Sequence, residues 1–218
     1  MSISTLIIGE SGSGKTTSLR NMSPADTLLI QAIKKPLPFR AAGWGILSRE
    51  NPHGNIVVSD VADHIIALMG KTKRKVIVLD DWQYILANEF MRRTGETGFQ
   101  KFTDIGKNAW NIINAANSLA DDVRVYILAH STQDDHGNVR VKTIGKLLDE
   151  KITVEGMFTT VLRTAIANGN HLFRTQNSGQ DTVKSPIGMF DADLIENDLL
   201  EVDKAISEFY NVTATQGA

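Results

Sequence analysis

Residues Gly9-Glu10-Ser11-Gly12-Ser13-Gly14-Lys15-Thr16-Thr17 constrain the fold of this chain more than any other stretch. They fit G-x-x-x-x-G-K-[ST], a pattern that needs a strand before it and a helix after it. Ser4–Ile8 is short, apolar and rich in β-branched residues, and reads as a buried central strand. Lys15–Asn21 reads as a helix stopped near Ser23-Pro24. The glycines let the backbone curl so that successive N–H groups point inward at phosphate oxygens. Lys15 is placed to reach the β- and γ-phosphates of a nucleotide, and the Thr16 hydroxyl to ligate Mg²⁺. The competing reading is a Gly/Ser-rich turn that happens to contain a lysine. Spacing, residue identity and flanks all speak against it.

The second informative stretch is Lys75–Asp81, in which four apolar residues run into two carboxylates. A buried parallel strand reads this way, with its polar residues emerging at the carboxyl end. Beside a phosphate loop, the first carboxylate, Asp80, is the candidate to hold the same Mg²⁺ as Thr16, through a water. Asp81 has two readings: a base for the attacking water, or the N-cap of the helix that Trp82 begins.

The rest of the chain alternates strands and helices. Thr27–Ala32 reads as a second strand, followed by a proline-broken loop from Lys34 to Arg40. Asn55–Val58 is a further strand, and Asp60 is expected to cap the helix that Gly70 closes. Trp82–Met91 and the periodic run Ile105 to Leu119 read as helices, and Val123–Ala129 as a strand ending in His130-Ser131-Thr132-Gln133. Thr143–Ile152 reads as a short helix. Asn168-Gly169 marks a hairpin after Met157–Ile166, and Leu199–Tyr210 a last amphipathic helix. The pattern predicts an α/β fold: a mostly parallel sheet covered on both faces, with a C-terminal antiparallel hairpin and helix. One domain is expected over residues 1–211, with a small, polar tail at 212–218.

The chain has 218 residues, 42% of them hydrophobic and 22% charged, which suits a globular protein with a proper core. Its net charge of −2 leaves no global basic footprint, so any nucleic-acid site must be a local patch. It contains no cysteine, which excludes disulfides and thiolate metal sites. No basic leader precedes the first strand and no apolar run approaches a membrane span, so the expected location is the cytoplasm, with no membrane partner. The histidines show no zinc-ligand spacing, and there is no N-K-x-D guanine-reading motif.

Taken together, the stretches beginning at Thr5, Lys75, Val125 and Lys142 resemble the small phage-encoded P-loop ATPases of the RecA-like/AAA type, over residues 3 to about 210. The resemblance implies a three-layer P-loop NTPase fold, with ATP and Mg²⁺ as ligands and an ATPase activity. It implies that Val123–Ala129 lies between the P-loop strand and the Asp80 strand, and that its polar end, His130 first, acts as a sensor of the γ-phosphate. The alternative for His130 is a strand end turning to solvent. It also implies a homo-oligomer, ring or filament, in which a neighbour inserts a basic residue into the site. Arg163, Arg174, Lys146 and Lys151 are the candidates, and Arg163, set in an apolar strand, needs either a partner or a task.

In RecA-like proteins loops after these two strands hold single-stranded DNA. Here they contain Arg92, Arg93 and Lys101, then Arg140 and Lys142; the alternative is a pair of solvated loops. The implied role is ATP hydrolysis coupled to single-stranded DNA handling, with a phage recombination or replication protein as partner and a bacterial host cytoplasm as setting. Two rivals remain: an ATPase that remodels a protein partner without touching DNA, and a nucleotide switch that hardly hydrolyses.

Overall fold

The structure is a computed structural model that describes residues 1–145 and 147–212. In chain order its strands are β1 (Ile3–Gly9), β2 (Thr27–Gln31), β3 (Ile56–Val58), β4 (Val76–Asp80), β5 (Arg124–Gln133), β6 (Val139–Val141), β7 (Thr160–Ala167), β8 (Asn170–Arg174) and β9 (Leu194–Glu196). Its α-helices are α1 (Ala62–Lys71), α2 (Gln83–Arg92), α3 (Gln100–Asn117) and α4 (Leu199–Phe209). The strands form one sheet in the order β3-β2-β4-β5-β1-β7-β8-β9, with β6 pairing on β5. From β3 through β7 the neighbours are parallel, while β8, β9 and β6 are antiparallel to theirs.

The central strands are apolar because both faces are covered. Along β1, Leu6 and Ile8 face one apolar cluster and Ile7 the other. The same alternation places Ile77 and Leu79 of β4, and Val125 and Ile127 of β5, with α1, α2 and α3. Val78, Tyr126 and Leu128 pack instead with Leu19 and the apolar stripe Leu199, Val202 and Ile206 of α4. The result is an α/β molecule with a mostly parallel mixed sheet, compatible with three layers. Among the described residues no helix is long and apolar enough to cross a membrane.

Several local expectations are corrected. The segment after the glycine-rich loop is a 3-10 helix, Thr16–Asn21. Asp60 does not cap α1; its carboxylate accepts hydrogen bonds from Asn88 and Arg92, and Val61 occupies the cap position without a side-chain bond. β5 continues through His130 to Gln133 because β6 pairs with its last residues. In place of a helix over 143–152 there is a π-helical turn at Leu147–Lys151. The expected hairpin is β7–β8, turned by Asn168 and Gly169, both at positive φ (52° and 78°) as the tight turn requires. Apart from Val212, the expected tail lies outside the described residues.

α4 is locked to the sheet by a buried polar cluster. Arg124 donates to both oxygens of Asp203, at 3.0 and 2.9 Å, and the Tyr126 hydroxyl donates to the same carboxylate. Arg124 and Asp203 are 6% and 7% exposed, so removing one partner strands a charge. Asp203→Ala is therefore expected to cost about 3–5 kcal/mol in urea unfolding. Tyr126→Phe, which keeps the ion pair, is expected to cost about 1 kcal/mol.

Candidate active site

The glycine-rich loop follows β1 at the carboxyl end of the parallel strands, where open α/β sheets place their ligands. Gly12 and Gly14 adopt φ of 76° and 100°, values that favour glycine. Gly9 is required for space: a Cβ there would stand 1.8 Å from Thr164 Oγ1. That close approach belongs to a brace from β7 and β8. Thr164 donates to Ser13 Oγ at 2.6 Å, and His171 Nδ1 lies 3.0 Å from the Ser13 carbonyl. A carbonyl only accepts, so this nitrogen carries the proton. Asn197 and His171 fill the space beside Gly14.

Lys15 is 5% exposed and donates to the carbonyls of Gly9 and Glu10, at 2.9 and 2.8 Å. Thr16 Oγ1 lies 3.0 and 3.1 Å from the two oxygens of Asp80, the last residue of β4. Asp81 follows in a left-handed conformation, φ 64°, which is strained for a non-glycine residue. The turn lets Trp82 N–H bond to Leu128 of β5 and aims the Asp81 carboxylate into the cleft. Asp81 is not a cap: no side chain caps α2. Its carboxylate instead pairs with Lys35, whose ammonium also lies 3.5 Å from Asp80 Oδ2. His130 Nε2 is 3.5 Å from Asp81 Oδ1, and the His130 N–H is held by Gln83 Oε1 at 3.0 Å. Lys15, Thr16, Lys35, Asp81 and His130 line one cleft of about 570 Å³, open mouth included. Ser11, Gly12, Gly14 and Thr17 complete its loop side.

The electrostatics are dominated by burial. Asp80 is fully buried, and burial followed by the charge of Asp81 pushes its carboxyl up to about 6, with Lys35 and Thr16 pulling the other way. Burial lowers Lys15, partly offset by Asp81 and Asp80. Burial also opposes the charge on Lys35, but attraction to Asp80 and Asp81 outweighs it and the pKa lies above that of an ordinary lysine. Burial and then Lys15 lower His130. Its contact with Asp81 at neutral pH is therefore that of a neutral imidazole, not an ion pair.

The outlying candidates are scattered. Arg163 lies 3.5 Å from Asp181. Arg174 sits opposite it on β8, Lys151 is exposed on the π-helical turn, and Lys146 lies outside the described residues. Arg92 binds Asp60, and Arg93 binds Glu89, Glu96 and Asp104. Lys101 donates to the Glu96 carbonyl at 2.9 Å and packs over Phe90 and Phe102. Arg140 and Lys142 are exposed, the latter beside His130 through its N–H to the His130 carbonyl at 2.7 Å. The sequence reading missed Lys35, Gln83, Thr164 and His171. The only signal for Lys35 was its place in a proline-broken loop just past a strand end.

Neither a scan against protein-family models nor a search of curated proteins returns a match.

Two outcomes follow from this geometry. Gly9→Ala is expected to cost about 1–3 kcal/mol through overpacking against Thr164, and Thr164→Ala to restore part of it, read from urea midpoints. The second concerns pH in protein freed of divalent ions. Asp80 titrates at about 6 when folded against 3.8 when unfolded, so between these values the native state binds more protons. The stability Asp80 contributes is complete below the lower value and lost as pH rises through the upper one, on the order of 3 kcal/mol in all. Asp80→Asn lacks this loss, so the gap between variant and wild type should widen in the variant's favour from pH 4 to pH 7.

Proposed function

We propose that this chain is a P-loop NTPase of the RecA/AAA type that binds ATP with Mg²⁺ and hydrolyses it. The observation that carries the reading is the Thr16 hydroxyl set against both oxygens of a buried Asp80, with Lys15 next to it in the loop. The strand order supports it, since β5 separates the loop strand from the Asp80 strand.

The donor set fits a hard cation. Among the described residues no group of three or more His, Cys, Asp or Glu forms a metal cage. One hydroxyl and one buried carboxylate, with waters and phosphate oxygens, are what Mg²⁺ takes in such sites. Thr16 and Asp80 would hold it, and when bound it neutralises charge on the phosphate oxygens. Lys15 leaves the Gly9 and Glu10 carbonyls for phosphate oxygens. Asp81, strained into the cleft, accepts a proton from the attacking water at a carboxylate oxygen. His130 Nε2, neutral, orients that water from the end of β5.

Hydrolysis is coupled to work on a macromolecule, with single-stranded DNA as the first reading and Arg140 and Lys142 as its exposed cations. The internal pairing of Arg92, Arg93 and Lys101 favours a second: an ATPase of the same kind acting on a protein partner. A homo-oligomer that completes the site with Arg174 or Lys151 of a neighbour fits either.

Lys15→Ala and Asp80→Asn are each expected to lower the ATP hydrolysis rate about 100-fold or more. A rate unchanged by Lys15→Ala refutes the reading. Single-stranded DNA is expected to raise the wild-type rate in a salt-sensitive way, and Arg140→Ala with Lys142→Ala to remove that response. No response in the wild type leaves the protein-partner reading.

A further inference from the structure

Lys35 has no counterpart in the sequence motifs, yet its ammonium stands between the two carboxylates at the end of β4. It lines the same cleft as Lys15 but comes from a different segment, the one that follows β2. The backbone there is fixed. Gln31 Nε2 donates to the Lys35 carbonyl at 3.2 Å, Pro36 fixes its own φ and restricts the backbone of Lys35 before it, and Leu37, Phe39 and Trp44 pack on the apolar cluster around α4. The side chain is not fixed in the same way: it is about one-third exposed, on a flexible four-carbon stem.

The charges in the cleft explain why it rests where it does. Lys15 and Lys35 balance Asp80 and Asp81, and His130 is neutral. A divalent ion held at Asp80 repels an ammonium 3.5 Å from the same carboxylate. A nucleotide's terminal phosphate, entering the same cleft, attracts it.

We propose that Lys35 is a phosphate-contacting residue supplied in cis: its ammonium exchanges the Asp80–Asp81 pair for the terminal phosphate when a metal-bound nucleoside triphosphate occupies the cleft. This rests on the nucleotide-binding reading above. Lys35 then distinguishes triphosphate from diphosphate, and in the resting site it competes with the metal for Asp80. Because the backbone is anchored, the exchange needs only side-chain rotation.

The test measures binding by calorimetry, with a non-hydrolysable ATP analogue and ADP, each with Mg²⁺, and with Mn²⁺ alone. Lys35→Met keeps the stem and removes the charge. It is expected to weaken the triphosphate analogue about tenfold or more, to leave ADP within about twofold, and to bind Mn²⁺ alone more tightly than wild type. Lys35→Arg is expected to retain the preference for triphosphate. A wild-type ratio of the two nucleotide affinities in Lys35→Met, an equal loss of both, or unchanged Mn²⁺ affinity each overturns the proposal. Lys15→Met separates the two readings. If wild type binds both nucleotides and Lys15→Met neither, the nucleotide site stands whatever Lys35 does. If wild type binds neither nucleotide, both readings fall.

Discussion

A carboxylate with no access to water ends the β4 strand, and the site is built around it. That residue, Asp80, has apolar layers on both sides of the sheet and neighbours chosen for charge: a hydroxyl, an ammonium and a second carboxylate. Holding such a group ionised is unfavourable, and the structure relieves this only in part through Thr16 and Lys35. A divalent cation would relieve the rest. If the proposed cation binds there, its affinity and the stability of the strand end would be two sides of one free energy. Asp81 adds to the strain, electrostatically through its charge and conformationally through its positive φ. Strain of both kinds at consecutive residues is a cost that folding alone gives no reason to keep.

The glycine-rich loop depends on the other end of the chain. β7 and β8 reach it through Thr164 and His171, and the turn before α4 reaches it through Asn197. These contacts join residues more than 150 positions apart, so the loop takes its shape only once the sheet has closed around β1. Arg124, Tyr126 and Asp203 then fasten α4 to the far end of the same sheet. The loop is thus preorganised by long-range packing as well as by the local sequence, as a phosphate site would require.

What was legible in the sequence follows the same division. The loop, the Asp80 strand and the β5 strand itself were readable because each is a local pattern, glycines at fixed offsets and apolar runs ending in acid or imidazole, whereas the place of β5 beside β1 came from the family resemblance. The hairpin was readable from Asn168-Gly169 alone. Lys35 was not, because its meaning arises from a contact 46 residues away and its own neighbourhood looks like an irregular loop. β6 escaped notice because three residues carry too little periodicity, and with it the continuation of β5 past His130. The basic residues after β4 misled in the opposite sense. Arg92, Arg93 and Lys101 looked free because the segment is polar and glycine-rich. Glu96, within the loop itself, takes Arg93 and, through its carbonyl, Lys101, but the other partners, Asp60, Glu89 and Asp104, lie before α1, on α2 and on α3, which the loop's own composition does not reveal.

That allocation of cations bears on how the site works. The fold pairs Arg92, Arg93 and Lys101, beside α2 and α3, internally. Two cations line the cleft, from different segments: Lys15 from the loop and Lys35 from the segment after β2. Their present partners differ. Lys15 is held by neutral carbonyls, whereas Lys35 is held by carboxylates. Carbonyls release an ammonium to a phosphate readily; carboxylates release it only if something else takes over their charge. In the proposed nucleotide site, Lys35 would therefore be the cation whose movement depends on the metal, and the two lysines would respond to different parts of the same ligand.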